Sequence, residues 1–383
     1  MRNKTLMIML FLTIIPGSCS PQVHSTSAPT LTTTPTVNRT NTPEITPTGT
    51  IIQKYQDVCS QNLMKYGELG EDLIKTLTFD QFTIWSASDQ PIAQTILEQG
   101  KNPGMGVREL HEEGISGKGI TVAIIDQHMN LDHPEFQGKI IKYIDFGSDE
   151  MVESIYMHGP AVTSLLVGNT TGTAPDARVY YAAVPSWLLD AQYYADALDW
   201  LVAENEKLPE GEKIRVVSVS AAPSGIWSPF TKNMDAWDAA YMRATEAGLL
   251  VLDCTFEEGI TLMCTYDLND PDNMASCIPN WDPATRHPAE RINIPTSRTT
   301  ATERMKDGEV QFIYRFSGYG GLSWSTPYLA GVLAMGWQVN PELSNNQILT
   351  ILRQSAYLSE SGQKIIDPRA FIERVKLTVL PME

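Results

Sequence analysis

The sequence predicts an α/β fold with a mainly parallel sheet and helices on both of its faces. Apolar segments typical of buried strands alternate with amphipathic segments of helical period along most of the chain. Continuous runs of β-branched residues are typical of parallel strands, which are buried on both faces. Alternation of this kind indicates βαβ units, and 383 residues are enough for one large domain with extensions.

Each element follows from a local pattern. Apolar, β-branched runs predict strands over 120–125, 178–183, 214–220 and 249–254. Apolar residues at helical spacing predict helices over 189–204, 233–247, 329–339 and 345–355. Functional side chains in such folds gather at the carboxyl ends of the strands. Asp126 directly follows the first of these strands and is therefore a candidate site residue.

Composition excludes some classes of partner. The formal net charge is −17 and no basic run is present, which argues against nucleic acid and against direct binding to anionic membrane surfaces. The hydrophobic fraction of 42% is sufficient for a sizeable core. Nothing in the sequence specifies an oligomeric state.

The N-terminus has the pattern of an export signal. Arg2 and Lys4 precede an apolar stretch over residues 6–15 that is too short to span a bilayer. Small residues then precede Cys19, and the pattern resembles a bacterial lipoprotein signal with residues 1–18 removed and Cys19 lipidated. Ordinary secretion with a different cleavage site is the alternative. We expect an exported protein that meets a membrane only through such an anchor.

Three segments follow the signal. Residues 19–50 are rich in Thr and Pro and have few large apolar side chains, so they predict a disordered tether. Residues 51–105, the N-terminal arm, are interpreted either as a pro-segment or as an arm packed on the core. Residues 106–383 form the predicted main domain.

Four further cysteines are compatible with disulfides in an exported chain. Cys264 and Cys277 are close enough in sequence to pair around a loop, while the connectivity that includes Cys59 and Cys254 stays open. No spacing of zinc ligands is present, so a structural metal cluster is not expected.

Ser323 lies in a setting that suits a nucleophile. A glycine-rich segment that ends at Gly321 precedes it, and the apolar helical run over 329–339 follows. A helix that begins here directs free N–H groups and the positive end of its dipole toward the serine. Pro327 fits the first turn of such a helix. Taken alone, a serine after glycines is more often a turn or a helix cap.

Three blocks of the sequence together resemble the subtilisin-like serine proteases (subtilases). The segment around Ser323 resembles the family motif G-T-S-M-A-x-P-H-V-A-G, with identity at Gly321, Ser323, Pro327, Ala330 and Gly331. A strand that ends in Asp126 and a His158-Gly159 pair stand where the family has its aspartate and histidine. The chain order Asp, His, Ser is that of subtilisin. The resemblance covers roughly residues 106–375 and implies a subtilisin-like fold.

The resemblance implies a serine endopeptidase that acts on polypeptides. Ser323 would be the nucleophile, His158 the general base and acid, and Asp126 the residue that orients and stabilises the imidazole ring. No cofactor is required. A structural calcium ion is possible for this family, but no site for it can be mapped, and the acidic segment 267–272 is interpreted as a surface turn.

The remaining site residues are open at this stage. The segment 216–222 resembles the family's substrate-binding strand and makes Ser220 and Ala221 candidates for substrate binding, although tight packing explains their small size equally well. An ungapped alignment places Glu257 where the family has its oxyanion-binding asparagine, and a carboxylate repels an oxyanion. Thr255 or a donor from elsewhere would replace it, or the enzyme is slow or inactive.

Two alternatives to a peptidase are kept. Glu257 and the residues that depart from the family's histidine motif (Pro160, Ala161, Thr163 and Ser164) are compatible with a catalytically lapsed subtilase fold that binds peptides or cell-envelope partners. A hydrolase of the Ser-His-Asp type that does not cleave peptides is disfavoured by the order of the three residues along the chain.

Overall fold

The computed structural model describes residues 51–147, 157–255, 259–280 and 291–379. The expected signal peptide, Cys19 and the tether lie outside the described residues, and so does Glu257. In the part of the chain that the structure describes, no helix combines the length and the apolar character needed to cross a membrane.

Helices and strands alternate between residues 140 and 252, and five strands in succession follow between residues 261 and 317. The helices are α1 Glu71–Ile74, α2 Asp89–Gln99, α3 Val107–Glu112, α4 His158–Val167, α5 Gln192–Lys207, α6 Met234–Glu246, α7 Leu322–Val339, α8 Asn345–Ser355 and α9 Pro368–Leu377. The strands are β1 Thr78–Asp80, β2 Thr121–Asp126, β3 Ile140–Asp145, β4 Arg178–Ala183, β5 Ile214–Val219, β6 Leu250–Leu252, β7 Thr261–Thr265, β8 Ile278–Pro279, β9 Ile292–Pro295, β10 Arg298–Lys306, β11 Glu309–Ser317, β12 Tyr357–Leu358 and β13 Lys364–Ile365.

A five-stranded parallel sheet forms the centre of the fold. Its strand order is β3-β4-β2-β5-β6, and every neighbouring pair is parallel. Every residue of β2 is buried because helices cover both faces of the sheet. Val122 and Ile124 share a core with α4 and α7, whereas Ala123 and Ile125 share the opposite core with α5 and α6. The predicted α/β class and the helices on both faces are confirmed.

Two predicted helix starts differ from the observed ones. Helix α5 begins at Gln192 and not at Leu189, because Leu189 has a left-handed backbone with φ 48°. Asp190 then accepts a hydrogen bond from the Gln192 N–H at 3.0 Å. Helix α7 begins at Leu322, before Ser323. Pro327 therefore lies beyond the first turn of the helix, whereas the sequence predicted it within the first turn.

A second five-stranded sheet has the order β12-β13-β9-β7-β8 and is mixed in direction. A disulfide joins Cys264 on β7 to Cys277 with 5.5 Å between their Cα atoms, which is one of the pairings that the sequence left open. Cys59 and Cys254 are free thiols.

The third sheet is antiparallel, in the order β1-β11-β10. It lies against α4, and β11 leads directly through a glycine-rich connection to α7. Its strand β1 comes from the N-terminal arm. From Thr50 onward the arm and the main domain belong to one compact unit of the chain.

Candidate active site

Asp126 is the last residue of β2, at the carboxyl end of the central sheet. Its side chain is buried, with 3% of its surface exposed. The carboxylate oxygen Oδ1 accepts a hydrogen bond from the Gln127 N–H at 2.8 Å and lies 2.7 Å from the Nδ1 atom of His158. Because an ionised carboxylate only accepts, the imidazole Nδ1–H is the donor in this contact. The bond therefore selects the tautomer that leaves Nε2 free to take a proton.

Gly159 allows this close approach of helix and strand. His158 is the first residue of α4, and Gly159 follows it where the helix meets the loop after β2. A Cβ atom at Gly159 would lie 2.2 Å from the Gln127 carbonyl oxygen and 2.6 Å from the Tyr181 hydroxyl. No side chain fits in that space, so the His-Gly pair is a packing requirement of the contact with Asp126.

The imidazole of His158 has a raised pKa. Burial of the ring favours its neutral form and lowers the pKa, but the charge of Asp126 and the hydrogen bond to it raise the pKa by more, and the net shift is upward. The ring is thereby poised to accept a proton next to a buried carboxylate.

Ser323 and Ser220 form a reciprocal pair of hydrogen bonds. The Ser323 hydroxyl donates to the main-chain carbonyl of Ser220 at 3.1 Å, and the Ser220 hydroxyl donates to the carbonyl of Ser323 at 2.8 Å. In an α-helix that carbonyl would accept the N–H of the residue four positions later. That residue is Pro327, which has no N–H, so Ser220 supplies the missing donor.

The main-chain N–H of Ser323 is free within its helix. Ser323 is the second residue of α7, and the first N–H groups of a helix have no acceptor inside it. This N–H and the positive end of the helix dipole are suited to an anion beside the serine.

Trp324, the residue after Ser323, lies near the His158 ring. Its indole ring lies 5.6 Å from the His158 ring, measured between centroids, at an interplanar angle of 67°. The indole Nε1 atom is buried and has no hydrogen-bond partner among the described residues. Trp324 was not among the site residues predicted from the sequence, although an aromatic residue directly after the candidate nucleophile was the available signal.

The structure thus brings Asp126 and His158 into direct contact, and it places the ring of Trp324, the residue after Ser323, near the His158 ring. The Ser323 hydroxyl donates its hydrogen bond to the Ser220 carbonyl. Among the described residues, the partner of the His158 ring is the Asp126 carboxylate. The roles of these three residues in catalysis stay predictions at this point.

The remaining candidates lie around the same sheet edge. Ser220 and Ala221 directly follow β5, and the Ala221 carbonyl accepts the Cys254 N–H at 2.9 Å. The Ser220 side chain is buried, and its hydroxyl donates to the Ser323 carbonyl. These contacts favour the interpretation that Ser220 is small because it is tightly packed, and not because it lines an open cleft. The Thr255 hydroxyl donates to Asp253 at 2.7 Å, so its proton is not directed at the site.

Among the described residues, no group of three or more His, Cys, Asp or Glu side chains is arranged to hold a metal ion. In the acidic segment 267–272, the Asp272 carboxylate accepts the Gly106 N–H at 2.7 Å and the Asp267 carboxylate accepts the Asn269 N–H at 3.0 Å. The Asp267 carboxylate fixes a local turn, whereas the Asp272 carboxylate joins this segment to the residue before helix α3. The expectation about structural calcium stays untested.

Comparisons with known proteins agree on one family. The profile described as "Subtilase family" matches residues 117–278, which include Asp126 and His158 but end before Ser323. Serine protease AprX of Bacillus subtilis is 23% identical over 277 residues, covering 62% of this chain and 61% of that protein. Subtilisin-like protease PopC of Myxococcus xanthus is 22% identical over 288 residues, covering 67% of this chain and 60% of that protein.

A solved structure shares the fold. Fervidolysin from Fervidobacterium pennivorans, described as a keratinolytic enzyme related to subtilisin, aligns with a TM-score of 0.50 at 15% identity. The alignment covers 73% of this chain and 47% of that one. Three other curated relatives are matched over 42%, 34% and 50% of their own lengths, so the chain spans about half of them.

Proposed function

We propose that this chain, whose residues 117–278 match the subtilase profile, is a serine endopeptidase of that family that hydrolyses peptide bonds through an acyl-enzyme on Ser323. The observation that carries this proposal is the 2.7 Å bond between His158 and a buried Asp126 at the carboxyl end of β2, and Ser323 lies in the first turn of helix α7. This arrangement gives a base whose ring orientation and tautomer are fixed.

The chemistry assigned to these residues is acyl transfer. The Ser323 hydroxyl leaves the Ser220 carbonyl by rotation about χ1 and turns toward His158. The Nε2 atom of His158 takes the proton as the oxygen attacks the scissile carbonyl, and the imidazolium later gives it to the leaving amine. Asp126 stabilises the imidazolium, and water then hydrolyses the ester.

The Ser323 N–H is our candidate donor to the oxyanion of the tetrahedral intermediate. It lies at the N-terminus of α7, where the helix has no acceptor for it. Thr255 is a poor second donor because Asp253 holds its hydroxyl proton. Glu257 lies outside the described residues, so the second donor is left unassigned.

A fluorophosphonate probe tests the proposal directly. We expect the probe to label Ser323 in the purified protein, as located by mass spectrometry, and the label to be lost in Ser323→Ala and in His158→Ala. A folded protein that stays unlabelled, cleaves no peptide and still captures peptides would instead establish the lapsed, peptide-binding alternative.

We further propose that the protein is exported and anchored at the cell surface by a lipid on Cys19. The charged start, the short apolar segment and the small residues before Cys19 motivate this proposal. In the producing cell, Cys19→Ala should move the protein from the membrane fraction to the soluble fraction. Unchanged fractionation would remove the lipid anchor and leave ordinary secretion.

A further inference from the structure

The N-terminal arm, residues 51–105, supports the main chain that leads to Ser323. Its strand β1 pairs with β11 in antiparallel register, with Thr78 opposite Ser317 and Asp80 opposite Arg315. Ser317 is the last residue of β11, and residues 318–321 connect it to α7. The arm therefore borders the segment that sets the position of the serine.

The closest contact lies at Gly318, the first residue of that connection. Its N–H donates to the Leu77 carbonyl of the arm at 2.9 Å. A Cβ atom at Gly318 would lie 2.3 Å from the Lys75 carbonyl oxygen and 2.5 Å from the Thr76 carbonyl carbon. The two main chains are so close that no side chain fits between them.

Side chains on the surface extend this contact. The Asp57 carboxylate forms an ion pair with Arg315 at 2.6 Å. The ring of Tyr55 lies 5.5 Å from that of Tyr319 in an edge-to-face arrangement. Arg315 and Tyr319 lie on either side of Gly318 in the sequence, so the arm contacts the chain both before and after Gly318.

The arm also contributes to the main core. Several of its apolar side chains have 0–4% of their surface exposed: Val58, Leu63, Ile74, Leu77, Phe79 and Trp85. The Phe79 ring lies 5.4 Å from Phe316 on β11. Loss of the arm would expose these side chains and leave β11 as an edge strand that is paired only with β10.

The described residues of the arm make no hydrogen bond or ion pair with the three candidate catalytic side chains, those of Asp126, His158 and Ser323. A segment that inhibited the protein by filling its cleft would be expected to contact them. The arm instead contacts the connection that leads to the serine.

We infer that the N-terminal arm is a permanent positioning element of the peptidase and not a pro-segment that is removed on activation. The Leu77 carbonyl and the main chain at Lys75 fix Gly318, and Gly318 fixes the start of α7 with Ser323. This inference depends on the proposed function, because the readout is the reactivity of Ser323.

The mass of the labelled chain tests retention of the arm. We expect the polypeptide that carries the fluorophosphonate on Ser323, measured under denaturing conditions, to include residues 51–105. A labelled chain that begins beyond residue 105 would overturn the inference and leave the peptidase proposal intact. Absence of any label would refute the peptidase proposal, and the inference with it.

Gly318→Ala tests the positioning role. The labelling rate of Ser323 should fall by about tenfold or more, because small displacements of a reacting group are costly, while the final stoichiometry of label, counted over all chains, stays near one. Gly211→Ala is the matched control, since a Cβ atom there meets nothing within 4 Å and no left-handed φ is involved.

The labelling rate and the final stoichiometry together separate positioning from unfolding. An unfolded fraction lowers the stoichiometry and leaves the labelling rate of the folded molecules unchanged. Tyr55→Ala provides a second variant that should fold, since 60% of the Tyr55 surface is exposed. It should slow labelling by about twofold to fivefold. Unchanged labelling rates in both variants would overturn the positioning role.

Discussion

The serine in this protein is held by a neighbour that compensates for a proline. Pro327 deprives the Ser323 carbonyl of its helical donor, and the Ser220 hydroxyl replaces that donor at 2.8 Å. The two residues form a second hydrogen bond, in which the Ser323 hydroxyl donates to the Ser220 carbonyl at 3.1 Å. Ser220 thus fixes the backbone of Ser323 in one bond and holds its hydroxyl in the other.

The first prediction is that Ser220→Ala slows acylation of Ser323 by about tenfold, which corresponds to ~1.4 kcal/mol in the barrier. The variant leaves the Ser323 carbonyl without a donor, and an unpaired buried acceptor costs about 1–3 kcal/mol. The rate of fluorophosphonate labelling and the urea midpoint measure the two effects.

Ser218→Ala is the control for that variant. Ser218 lies on β5 close to Ser220, and its buried hydroxyl has no hydrogen-bond partner among the described residues. Its removal should leave both the labelling rate and the stability unchanged or slightly improved. Equal behaviour of the Ser218 and Ser220 variants would contradict the role given to Ser220.

The second prediction concerns the pH dependence of kcat/KM. His158 acts as a base only when it is neutral, and the charge of Asp126 raises its pKa above the ordinary value of 6.5 despite the opposing effect of burial. Activity on a peptide substrate should therefore rise with pH and reach half of its maximum above pH 6.5. Activity should be lost completely only at a pH low enough to protonate the His158 ring fully.

Asp126→Asn removes the charge that raises this pKa. The variant should be much slower, and the midpoint of its pH profile should move to a lower pH than in the unmodified protein. A midpoint that stays in place would show that Asp126 does not act electrostatically on His158. A steady-state pH series with one peptide substrate measures both proteins.

At the scale of elements, a repeated local pattern made the central sheet predictable. Residues 178–183 were predicted as a strand and form β4, and 345–355 were predicted as a helix and form α8. Each segment is long enough for its apolar period to identify it. The starts of α5 and α7 were wrong because turn conformation and backbone packing determine them, and neither leaves a periodic signal.

The hairpin of β10 and β11 was missed for a different reason. Its two strands carry charged and polar residues together with apolar ones, so no continuous apolar run announces them. Asp307-Gly308 was the usable signal, because both residues have positive φ, 54° and 81°. An Asp-Gly pair of this kind is typical of a two-residue β-hairpin turn.

The third prediction belongs to the second sheet. The Cys264–Cys277 disulfide closes a loop with a sequence separation of 13 between β7 and the start of β8. A disulfide around a loop of this size stabilises a fold by about 3 kcal/mol. Cys277→Ser should lower the free energy of unfolding by that order, and addition of a reductant to the unmodified protein should have the same effect.

Cys59→Ser is the control, because Cys59 is a free thiol. That variant should keep its sensitivity to reductant, whereas Cys277→Ser should be insensitive. A reductant that leaves the urea midpoint of the unmodified protein unchanged would indicate that the pair is not formed or contributes nothing.

At the scale of the whole molecule, the sequence indicated that Asp126 and His158 meet, but it did not indicate how Ser323 is supported. The order of Asp126, His158 and Ser323 along the chain, together with strand ends at one sheet edge, was readable as a shared site. The contacts of Ser323 with Ser220 and of Gly318 with the N-terminal arm join residues distant in sequence. A glycine such as Gly318 permits close approach of two main chains, but it does not identify the segment that approaches it.

Glu303 makes the stability of the whole molecule depend on pH. It lies on β10 with 4% of its surface exposed, and its Oε1 atom accepts the Asn130 N–H at 2.9 Å, in the loop after β2. The Oε2 atom is buried without a partner among the described residues. Burial raises the pKa of this carboxyl from 4.5 to about 7, although the hydrogen bond from Asn130 opposes the shift.

The sign of the effect follows from the raised pKa. The folded protein holds the proton of Glu303 more tightly than the unfolded chain does, so this contribution to stability is complete below about pH 4.5 and is lost as the pH rises through about 7. His133 acts in the opposite direction, because burial lowers its pKa to about 4. A comparison of two proteins that differ only at Glu303 removes the contribution of His133.

The fourth prediction is that Glu303→Gln stabilises the protein at pH 8 and has a much smaller effect at pH 5. Glutamine keeps a carbonyl oxygen for Asn130 and cannot ionise. One pKa unit corresponds to about 1.4 kcal/mol, so the shift from 4.5 to about 7 gives the variant an advantage of about 3 kcal/mol at pH 8. Urea unfolding of both proteins at the two pH values measures this advantage. If the difference in unfolding free energy is the same at pH 5 and pH 8, Glu303 does not titrate in the folded protein as its burial requires.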